Sequence, residues 1–298
     1  MASVSSLDEA AAVLRAASAA GRAVRIGADL DAGGMSCVLE HEAGDLTCTV
    51  EAGIRLSALT AALAPSGQRL SLDPPGDPTI GACLAGHFSG PLRHRFGAPR
   101  DLVLGVTLVL ADGTIVNAGG KVVKNVAGYD LGKLVCGSRG RLAFIGRVSL
   151  RLHPAPVATA TVVVETTDAA SVVAAVLGSQ LVPSAVDVLH PGRVAVLFEG
   201  GDAAVAAQVE SMTALVGGRE VDASAWDESR ERQAASPGRS TFVPGELRAF
   251  LAHHPTALVR PAAGIAYFPT STEVETPAAV LSLQERVRER FDPKGVLA

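Results

Sequence analysis

The chain has 298 residues, which is room for about two domains with hydrophobic cores of their own. Its composition, 48% hydrophobic and 19% charged, argues against a disordered chain. The formal net charge of −4 and the aromatic content of 4% argue against nucleic acid as a partner, because a phosphate backbone requires a basic surface and single strands require stacking platforms.

The first 156 residues predict helices, strands and two irregular glycine-rich segments. Ser6 and Glu9 have the capping-box spacing ahead of an amphipathic helix, and Ser57 is the expected cap of a second helix. Residues 70–100 and 119–140 show little helical or strand period, which in a compact domain indicates a segment wrapped around something. The regular elements predicted here are a helix from residue 7 that ends near 21, strands at 24–26 and 45–53, a helix at 58–64, and strands at 102–110, 114–116 and 144–152.

Residues 157–298 predict a second domain of the ferredoxin-like type, because the predicted order of strand, helix, strand, strand, helix, strand is that of a split βαβ sandwich. Its strands are predicted at 159–165, 185–189, 194–198 and 219–222, and its helices at 169–177 and 203–216. Residues 223–240, which include Trp226, predict a polar loop, and residues 258–268 predict one or two strands. A final helix opens at Pro277. Its apolar face consists of Val280, Leu283, Val287 and Phe291.

The cysteine and hydropathy patterns restrict the compartment and the chemistry. The four cysteines are scattered without a C-x-x-C pair, which predicts a reduced compartment and no iron–sulfur cluster held by this chain alone. The seven histidines show no ligand spacing, so we predict no metal site. The first residues lack a basic leader, and the uncharged stretch 169–186 is broken by Gly178 and Pro183. We therefore predict a cytoplasmic protein without direct membrane insertion.

The glycine-dense stretches carry the functional interpretation, because the motifs of the common nucleotide and hydrolase sites are absent from the sequence. Asp73, Pro75 and Thr79 lie in a run of bare backbone amides. Glycine lets a ligand approach the main chain there, and Thr79 can donate a hydrogen bond to a phosphate or a flavin-like heterocycle. The alternative is that both stretches are tight loops that cap a sheet.

A basic cluster follows the first of these stretches and consists of Arg93, His94, Arg95 and Arg100. One interpretation is recognition of a carboxylate or a pyrophosphate by guanidinium groups. The interpretation favoured by the sequence is a solvated loop or a contact with another subunit.

Two segments resemble a known family. They are LDPPGDPTIGACLAGHFSG from Leu72, and KNVAGYDL from Lys124 followed by the turn GSRG at Gly137. Both resemble the FAD-binding domain of the PCMH-type (vanillyl-alcohol-oxidase) superfamily, and within it the FAD-binding subunits of glycolate oxidase. The similarity covers about residues 45–156, and FDPKGVL from Phe291 resembles the C-terminal signature of the family. The resemblance implies an α+β fold in which a PCMH-type FAD-binding domain of two α+β lobes, residues 1–156, precedes a ferredoxin-like cap domain with a C-terminal helix, residues 157–298.

The resemblance also implies that FAD is held non-covalently between the two lobes, with its isoalloxazine ring under the cap. Tyr129 and Asp130 are expected to lie near the flavin or to hold the loop that does. No catalytic residue can be named from the sequence. The candidate cofactor-binding residues are Gly27, Asp73, Pro75, Thr79, Ile80, Gly81, Ser89, Gly90, Tyr129, Gly137, Ser138, Gly140 and Ile145.

One loop departs from the family pattern. Asp29 and Asp31 stand where the family has a pyrophosphate loop rich in Gly, Ser and Thr, and carboxylates at that position would repel phosphates. Arg139 and Arg141 stand in the turn that the family uses for the cofactor. Our hypothesis is that their positive charge offsets the two acids.

Three functions are compatible with these residues. The first is the FAD-binding subunit of a glycolate-oxidase-like 2-hydroxy-acid dehydrogenase, which carries reducing equivalents from the substrate through the flavin to an iron–sulfur partner. Its implied partners are a sister FAD subunit and an iron–sulfur subunit, and these could hold it peripherally at the inner face of the membrane. The alternative is a structural subunit of the same kind of complex that has lost FAD. A stand-alone oxidase is the weakest interpretation, because no catalytic base can be named.

Overall fold

Two large antiparallel sheets organise the chain, and the computed structural model describes residues 2–120, 130–272 and 276–298. The elements before residue 156 are β1 Ala2–Ser3, α1 Leu7–Ala19, β2 Leu30–Asp31, β3 Val38–Glu42, β4 Thr47–Glu51, α2 Leu56–Leu63, β5 Gln68–Arg69, α3 Ile80–Gly86, α4 Arg93–Phe96, α5 Pro99–Leu102, β6 Val103–Val109, β7 Ile115–Gly119, α6 Leu131–Val135, β8 Phe144–Arg151 and β9 His153–Pro154. The elements after it are β10 Ala158–Glu165, α7 Ala169–Leu177, β11 Ala185–His190, β12 Arg193–Gly200, α8 Asp202–Val216, β13 Arg219–Val221, α9 Ser224–Ala234, β14 Gly238–Thr241, α10 Leu247–His253, β15 Ala257–Arg260, β16 Ile265–Phe268 and α11 Ala278–Phe291.

The larger of two lobes in the first half, here called the large lobe, is built on the five-stranded sheet β3-β4-β8-β6-β7. Inward residues alternate along its strands, so that one face packs on α2 and α3. Leu59 and Leu63 of α2, Leu84 of α3 and Val148 of the central strand are fully buried in this core. The core therefore holds α3, which follows the first glycine-dense stretch, directly against the sheet.

The second lobe, here called the small lobe, consists of α1, the parallel pair β1 and β2, and the end of the chain. Ser6 caps α1 by accepting a hydrogen bond from the amide of Glu9, so the predicted first helix is confirmed. Val296 and Leu297 are buried beside this helix, and the amide of Val24 donates to the carbonyl of Val296 at 2.7 Å. The last residues thus pack on the first ones. The predicted domain limits 1–156 and 157–298 stay a prediction.

The cap, defined here as residues 158–272, is built on the seven-stranded sheet β13-β10-β12-β11-β15-β16-β14. The predicted order from β10 through α7, β11, β12 and α8 to β13 is present, and the strands β15 and β16 confirm the prediction for residues 258–268. Helices α7, α8 and α10 cover one face of the sheet. Helix α9 and, from the large lobe, α4 pack on the other face, which makes it the face towards the first half of the chain.

The expected cap of α2 is wrong, because the helix begins at Leu56 and Ser57 lies inside its first turn. The backbone amide and the hydroxyl of Ser57 donate to the carboxylate of Asp77 at 2.9 and 2.7 Å. A carboxylate satisfies free amides at a helix start, where the helix dipole also favours negative charge. The capping group therefore comes from a residue twenty positions further along the chain.

The first glycine-dense stretch is not irregular throughout, because residues 70–100 contain the short helices α3 and α4 and the start of α5. The hydroxyl of Thr79 caps α3 by accepting from the amide of Ala82 at 3.2 Å. Helices of four to seven residues are too short to show an amphipathic period in the sequence.

Residues 223–240 are also not a loop, since they form α9 and β14. Trp226 is buried on α9, and its indole Nε1 donates to the hydroxyl of Thr161 at 2.8 Å. Only Ala225, Trp226 and Ser229 of this helix are buried, and the other side chains are mostly charged. A stripe this narrow does not produce a detectable apolar pattern.

The predicted apolar face of α11 is not buried, and every residue of this helix is at least partly exposed. Val280 and Leu283 are 41% and 55% exposed. The helix is attached at its end instead, where the Asp292 carboxylate accepts from the amides of Val296 and Leu297 at 2.8 and 2.6 Å.

Candidate functional site

A cavity of about 290 Å³ lies between the small lobe and the large lobe. Its walls are mainly the small apolar side chains of alanines, with Ile26, Phe88 and Phe144. Apolar walls with a few polar groups are typical of sites for small molecules and cofactors. The cavity is large enough to hold part of a dinucleotide. Five of the predicted cofactor-binding residues line it, namely Gly27, Thr79, Gly81, Gly140 and Ile145.

Two glycines explain how the main chain reaches this cavity. Gly27 has a φ of +86°, and nothing lies within 4 Å of the position of a Cβ atom there. Gly140 has a φ of +78°, and a Cβ would lie 2.7 Å from the Cβ of Ile26. Both positions require glycine for their backbone conformation. The backbone is therefore bare at one position in the small lobe and at one position in the large lobe, on opposite sides of the cavity.

The other predicted residues lie elsewhere. Ile80 is fully buried in the core of the large lobe. Asp73 and Pro75 line a separate open cleft of about 760 Å³ against α9. Ser89 and Gly90 lie at the contact between the large lobe and the cap, where a Cβ on Gly90 would meet the carbonyl oxygen of Asp73 at 1.8 Å.

The second glycine-dense stretch is described only in part. Gly137 and Ser138 precede the cavity-lining Arg139, and no described residue forms a hydrogen bond with the buried Ser138 hydroxyl. Tyr129 lies outside the described residues. Asp130 caps α6 by accepting from the amide of Lys133 at 3.0 Å. The cofactor roles of all these residues stay predictions.

Of the two acids at β2, Asp29 just before the strand and Asp31 at its end, only Asp31 lines the cavity. Asp29 instead pairs with Arg25, with 3.0 Å between each carboxylate oxygen and its guanidinium nitrogen. These hydrogen bonds lower the pKa of Asp29 to about 2. The two arginines also differ in position, because Arg139 lines the cavity and Arg141 does not. The expected pair of repelling acids is therefore reduced to a single carboxylate.

A buried polar network joins the cap to the large lobe. Nε of Arg260 and Oδ1 of Asp187 are 3.4 Å apart, and the two side chains are 2% and 0% exposed. Ser229 of α9 donates to the other oxygen of Asp187 at 2.5 Å. Arg260 also donates to Oε1 of Gln233 at 2.8 Å, and Gln233 donates to the carbonyl of Ser89 at 2.9 Å. Sequence patterns did not predict this network, although an arginine that ends the apolar strand ALVR was a signal for it.

Two arginines lie beside the network, Arg93 half-buried and Arg239 exposed. Arg93 donates to the Ser89 hydroxyl at 3.2 Å, and the guanidinium of Arg239 lies 6.0 Å from the centre of the Tyr267 ring. Burial lowers the pKa of His87 and that of Arg93, and the charge of Arg239 lowers both further. This side of the contact can therefore attract an anion.

The favoured solvated interpretation of the basic cluster is wrong for two of its members. Arg93 and His94 are half-buried, and burial lowers the pKa of His94. Arg95 and Arg100 are exposed, as expected.

The described part of the chain contains neither a candidate metal site nor a candidate membrane-spanning helix. Among residues 2–120, 130–272 and 276–298, no three His, Cys, Asp or Glu side chains are grouped in a way that could hold a metal ion. Within the same ranges, no helix combines the length and the apolar character needed to cross a membrane. The four cysteines are free, and burial raises the pKa of the Cys83 thiol to about 12.

Comparison with known proteins agrees with this architecture. Residues 17–119 match a family described as FAD binding domain. The chain is 34% identical over 203 residues to glycolate oxidase subunit GlcE of Escherichia coli (strain K12), covering 66% of this chain and 56% of that protein. It is 32% identical over 160 residues to glycolate oxidase subunit GlcD of Bacillus subtilis (strain 168), covering 52% and 34%. The chain thus spans little more than half of the first relative and about a third of the second.

The fold is also that of a solved structure. A structure of alkyldihydroxyacetonephosphate synthase has a TM-score of 0.73 at 18% sequence identity and covers 99% of this chain and 74% of that one. The α+β fold and the matched segment together define a protein with a flavin-binding domain. The matched segment and the two glycolate oxidase relatives fit the PCMH-type FAD-binding superfamily with FAD as the cofactor, so the resemblance carried by the glycine-rich motifs is confirmed.

Proposed function

We propose that this protein is the FAD-binding subunit of a glycolate-oxidase-like dehydrogenase that oxidises a small 2-hydroxy acid. The observation that carries the proposal is the cavity between the lobes. Residues from four separate stretches of sequence, at 27, at 79 and 81, at 140 and at 145, line one space there, and the first two stretches lie within the segment matched by the FAD-binding family. The relatives named as glycolate oxidase subunits support the class of substrate.

The residues of the cavity fit FAD. Its apolar walls suit the ring systems, the glycine backbone at Gly27 and Gly140 allows close approach, and the Arg139 guanidinium complements the charge of a diphosphate. When bound, FAD supplies the hydride acceptor and the one-electron donor of the reaction. The proposed mode of binding is non-covalent, and the described residues that line the cavity include neither a cysteine nor a histidine.

The proposed role of the cap contact is to receive the acid. Arg93 is a half-buried cation and Arg239 an exposed one, and both lie beside the contact between the large lobe and the cap. A desolvated guanidinium binds a carboxylate more strongly than one in water, because the hydrogen bonds and the attraction between the charges are both stronger where the dielectric constant is low. We assign no side chain as the base that removes the hydroxyl proton.

The proposed partners are a sister FAD subunit and an iron–sulfur subunit that accepts the reducing equivalents. The proposed localisation is the cytoplasm, with peripheral attachment at the inner face of the membrane through these partners. The names of the two relatives, both subunits of a glycolate oxidase, support an assembly of several chains.

The test is to titrate FAD into the purified chain and to record the visible spectrum and the melting temperature. We expect a yellow protein and a higher melting temperature, because a ligand at a hundred times its Kd stabilises the folded state by about 2.7 kcal/mol. Glycolate or D-lactate should then bleach the flavin absorption in the presence of the partner subunits. A colourless protein with an unchanged melting temperature would refute the proposal.

That outcome would favour a second candidate, a structural subunit of the same complex that has lost FAD. The carboxylate of Asp31 in the cavity is the observation in its favour, because an acid beside a diphosphate lowers affinity.

A further inference from the structure

Among the described residues that line the cavity between the lobes, one is acidic, Asp31, and one is cationic, Arg139, and the hydrogen bonds of the acid are incomplete. Oδ1 of Asp31 accepts from the Ser3 hydroxyl at 2.9 Å and from the amide of Gly33 at 2.6 Å. Oδ2 of the same carboxylate is buried and has no hydrogen-bond partner among the described residues. The first two bonds fix the orientation of the side chain. The second oxygen is thus held in place as an acceptor that lacks a donor.

Arg139 contributes the positive charge. It stands in the left-handed region with a φ of 53°, a conformation that is uncommon for a side chain other than glycine, asparagine or aspartate. Its amide donates to the carbonyl of Ala85 at 2.9 Å, which anchors the turn to α3. Among the described residues, no acidic side chain forms an ion pair with its guanidinium. The turn therefore presents an unpaired cation to the cavity.

FAD offers complementary groups for both side chains. Its diphosphate is an anion without hydrogen-bond donors, whereas its ribose and its ribityl chain carry hydroxyl groups that donate. A carboxylate oxygen that faces a hydroxyl makes a charge-assisted hydrogen bond, but one that faces a phosphate is repelled. The position of Asp31 in the cavity is then unfavourable only if the diphosphate lies next to it.

We propose that Asp31 and Arg139 recognise different parts of FAD, so that Oδ2 of Asp31 accepts a hydrogen bond from a sugar hydroxyl while Arg139 binds the diphosphate. This inference rests on the proposed function, because it assumes that FAD occupies the cavity. The acid is then a determinant of cofactor binding. The charge that balances the diphosphate comes from the turn after α6.

The experiment measures the affinity of the full-length protein for FAD, ADP and riboflavin by calorimetry. Asp31→Asn keeps an oxygen for Ser3 and Gly33 but replaces the free acceptor by a donor. Asp29→Asn is its matched control, since Asp29 lies outside the cavity. Arg139→Met removes the cation, Arg139→Lys keeps the charge, and Arg141→Met is the control beside it. The melting temperature of each variant without ligand shows whether it folds.

We expect Asp31→Asn to weaken FAD binding by about tenfold, the effect of one charge-assisted hydrogen bond. Its effect on ADP or on riboflavin identifies the sugar that is bound. Arg139→Met should weaken FAD and ADP by about tenfold or more and leave riboflavin unchanged, and Arg139→Lys should restore most of the affinity. Both control variants should bind like the wild type.

The proposal is overturned if Asp31→Asn binds FAD as well as the wild type or more tightly, because the carboxylate would then face a phosphate or nothing. It is also overturned if Arg139→Met behaves like Arg141→Met. A wild-type protein that fails to bind FAD would instead refute the proposed function. The two failures are therefore distinguishable.

Discussion

Arg69 and Glu199 join the large lobe to the cap by two parallel hydrogen bonds. The guanidinium NH1 and NH2 groups donate to Oε1 and Oε2 at 2.8 and 2.6 Å, and the two side chains are only 18% and 7% exposed. The Arg69 guanidinium also lies 5.2 Å from the centre of the Phe96 ring. A paired, largely buried arginine of this kind is difficult to replace, because each partner alone would be an uncompensated charge.

We expect Glu199→Gln to lower the free energy of unfolding by about 3 kcal/mol, since it leaves the Arg69 charge largely buried without its partner. Urea denaturation measures the change. In a cycle with Arg69→Met, the double variant should lose less than the sum of the two single losses. Additive losses would mean that the two residues do not interact.

The pair of Asp187 and Arg260 lies deeper and should behave differently when both partners are replaced. Asp187→Asn should cost about 3 to 5 kcal/mol, because it leaves the Arg260 guanidinium buried without its counterion. Replacing both residues by leucine and methionine should recover most of this loss, since paired charges contribute little over well-packed apolar groups. The fluorescence of the lone tryptophan, Trp226, follows the unfolding, because its ring is buried on α9. A double variant as unstable as Asp187→Asn would contradict this account.

Asp73 should make stability depend on pH. Burial raises the pKa of its carboxyl to about 7, and the charge of Arg260 offsets only part of this effect. In the unfolded chain the group titrates near 3.8, so the folded state holds the extra proton between about pH 4 and pH 7. Stability should therefore fall as the pH rises through that window and stay lower above it.

The variant Asp73→Asn should remove this slope. Asparagine keeps an oxygen that accepts from the amide of Leu92, a bond of 3.0 Å in the wild type. Melting temperatures between pH 4 and pH 8 provide the measurement. An identical slope in both proteins would show that another group is responsible.

Gly90 should be required for packing. A Cβ atom there would lie 1.8 Å from the carbonyl oxygen of Asp73, so the two segments could not keep their separation. Gly90→Ala should lower the free energy of unfolding by about 1 to 3 kcal/mol, the usual cost of overpacking. Gly44→Ala is the control, because nothing lies within 4 Å of its Cβ position. Equal stabilities of the two variants by urea denaturation would contradict the expectation.

Elements whose stabilising contacts are local were predictable from the sequence. Helix α7 spans the nine residues predicted, because its apolar face and its cap at Asp168 lie within a few positions of each other. The cap of α2 was not predictable, since Asp77 reaches it from a distant turn. Helix α9 was missed because its side chains are mostly charged and its burial depends on the sheet above it.

The residues of the candidate site likewise divide into those that the sequence could predict and those that it could not. The glycine-rich motifs identified Gly27, Thr79 and Gly140, because bare backbone and a hydroxyl are visible in a short window of sequence. The pairing of Asp187 with Arg260 depends on the alignment of β11 with β15, in which Val188 lies opposite Val259. A register between strands some seventy residues apart cannot be read from either segment alone. The different positions of Asp29 and Asp31 likewise follow from the presence of Arg25 and Ser3, not from the acids themselves.

The return of Val296 and Leu297 to the small lobe gives the cap a second covalent connection to the first half of the chain. The chain leaves the FAD-binding half at β9 and comes back to it beside α1. A domain connected to the rest of the chain at both of its ends cannot move as far as one held by a single linker, so both connections restrict how the cap can shift on the first half of the chain. The reach of such a movement is therefore limited by the covalent path of the chain itself.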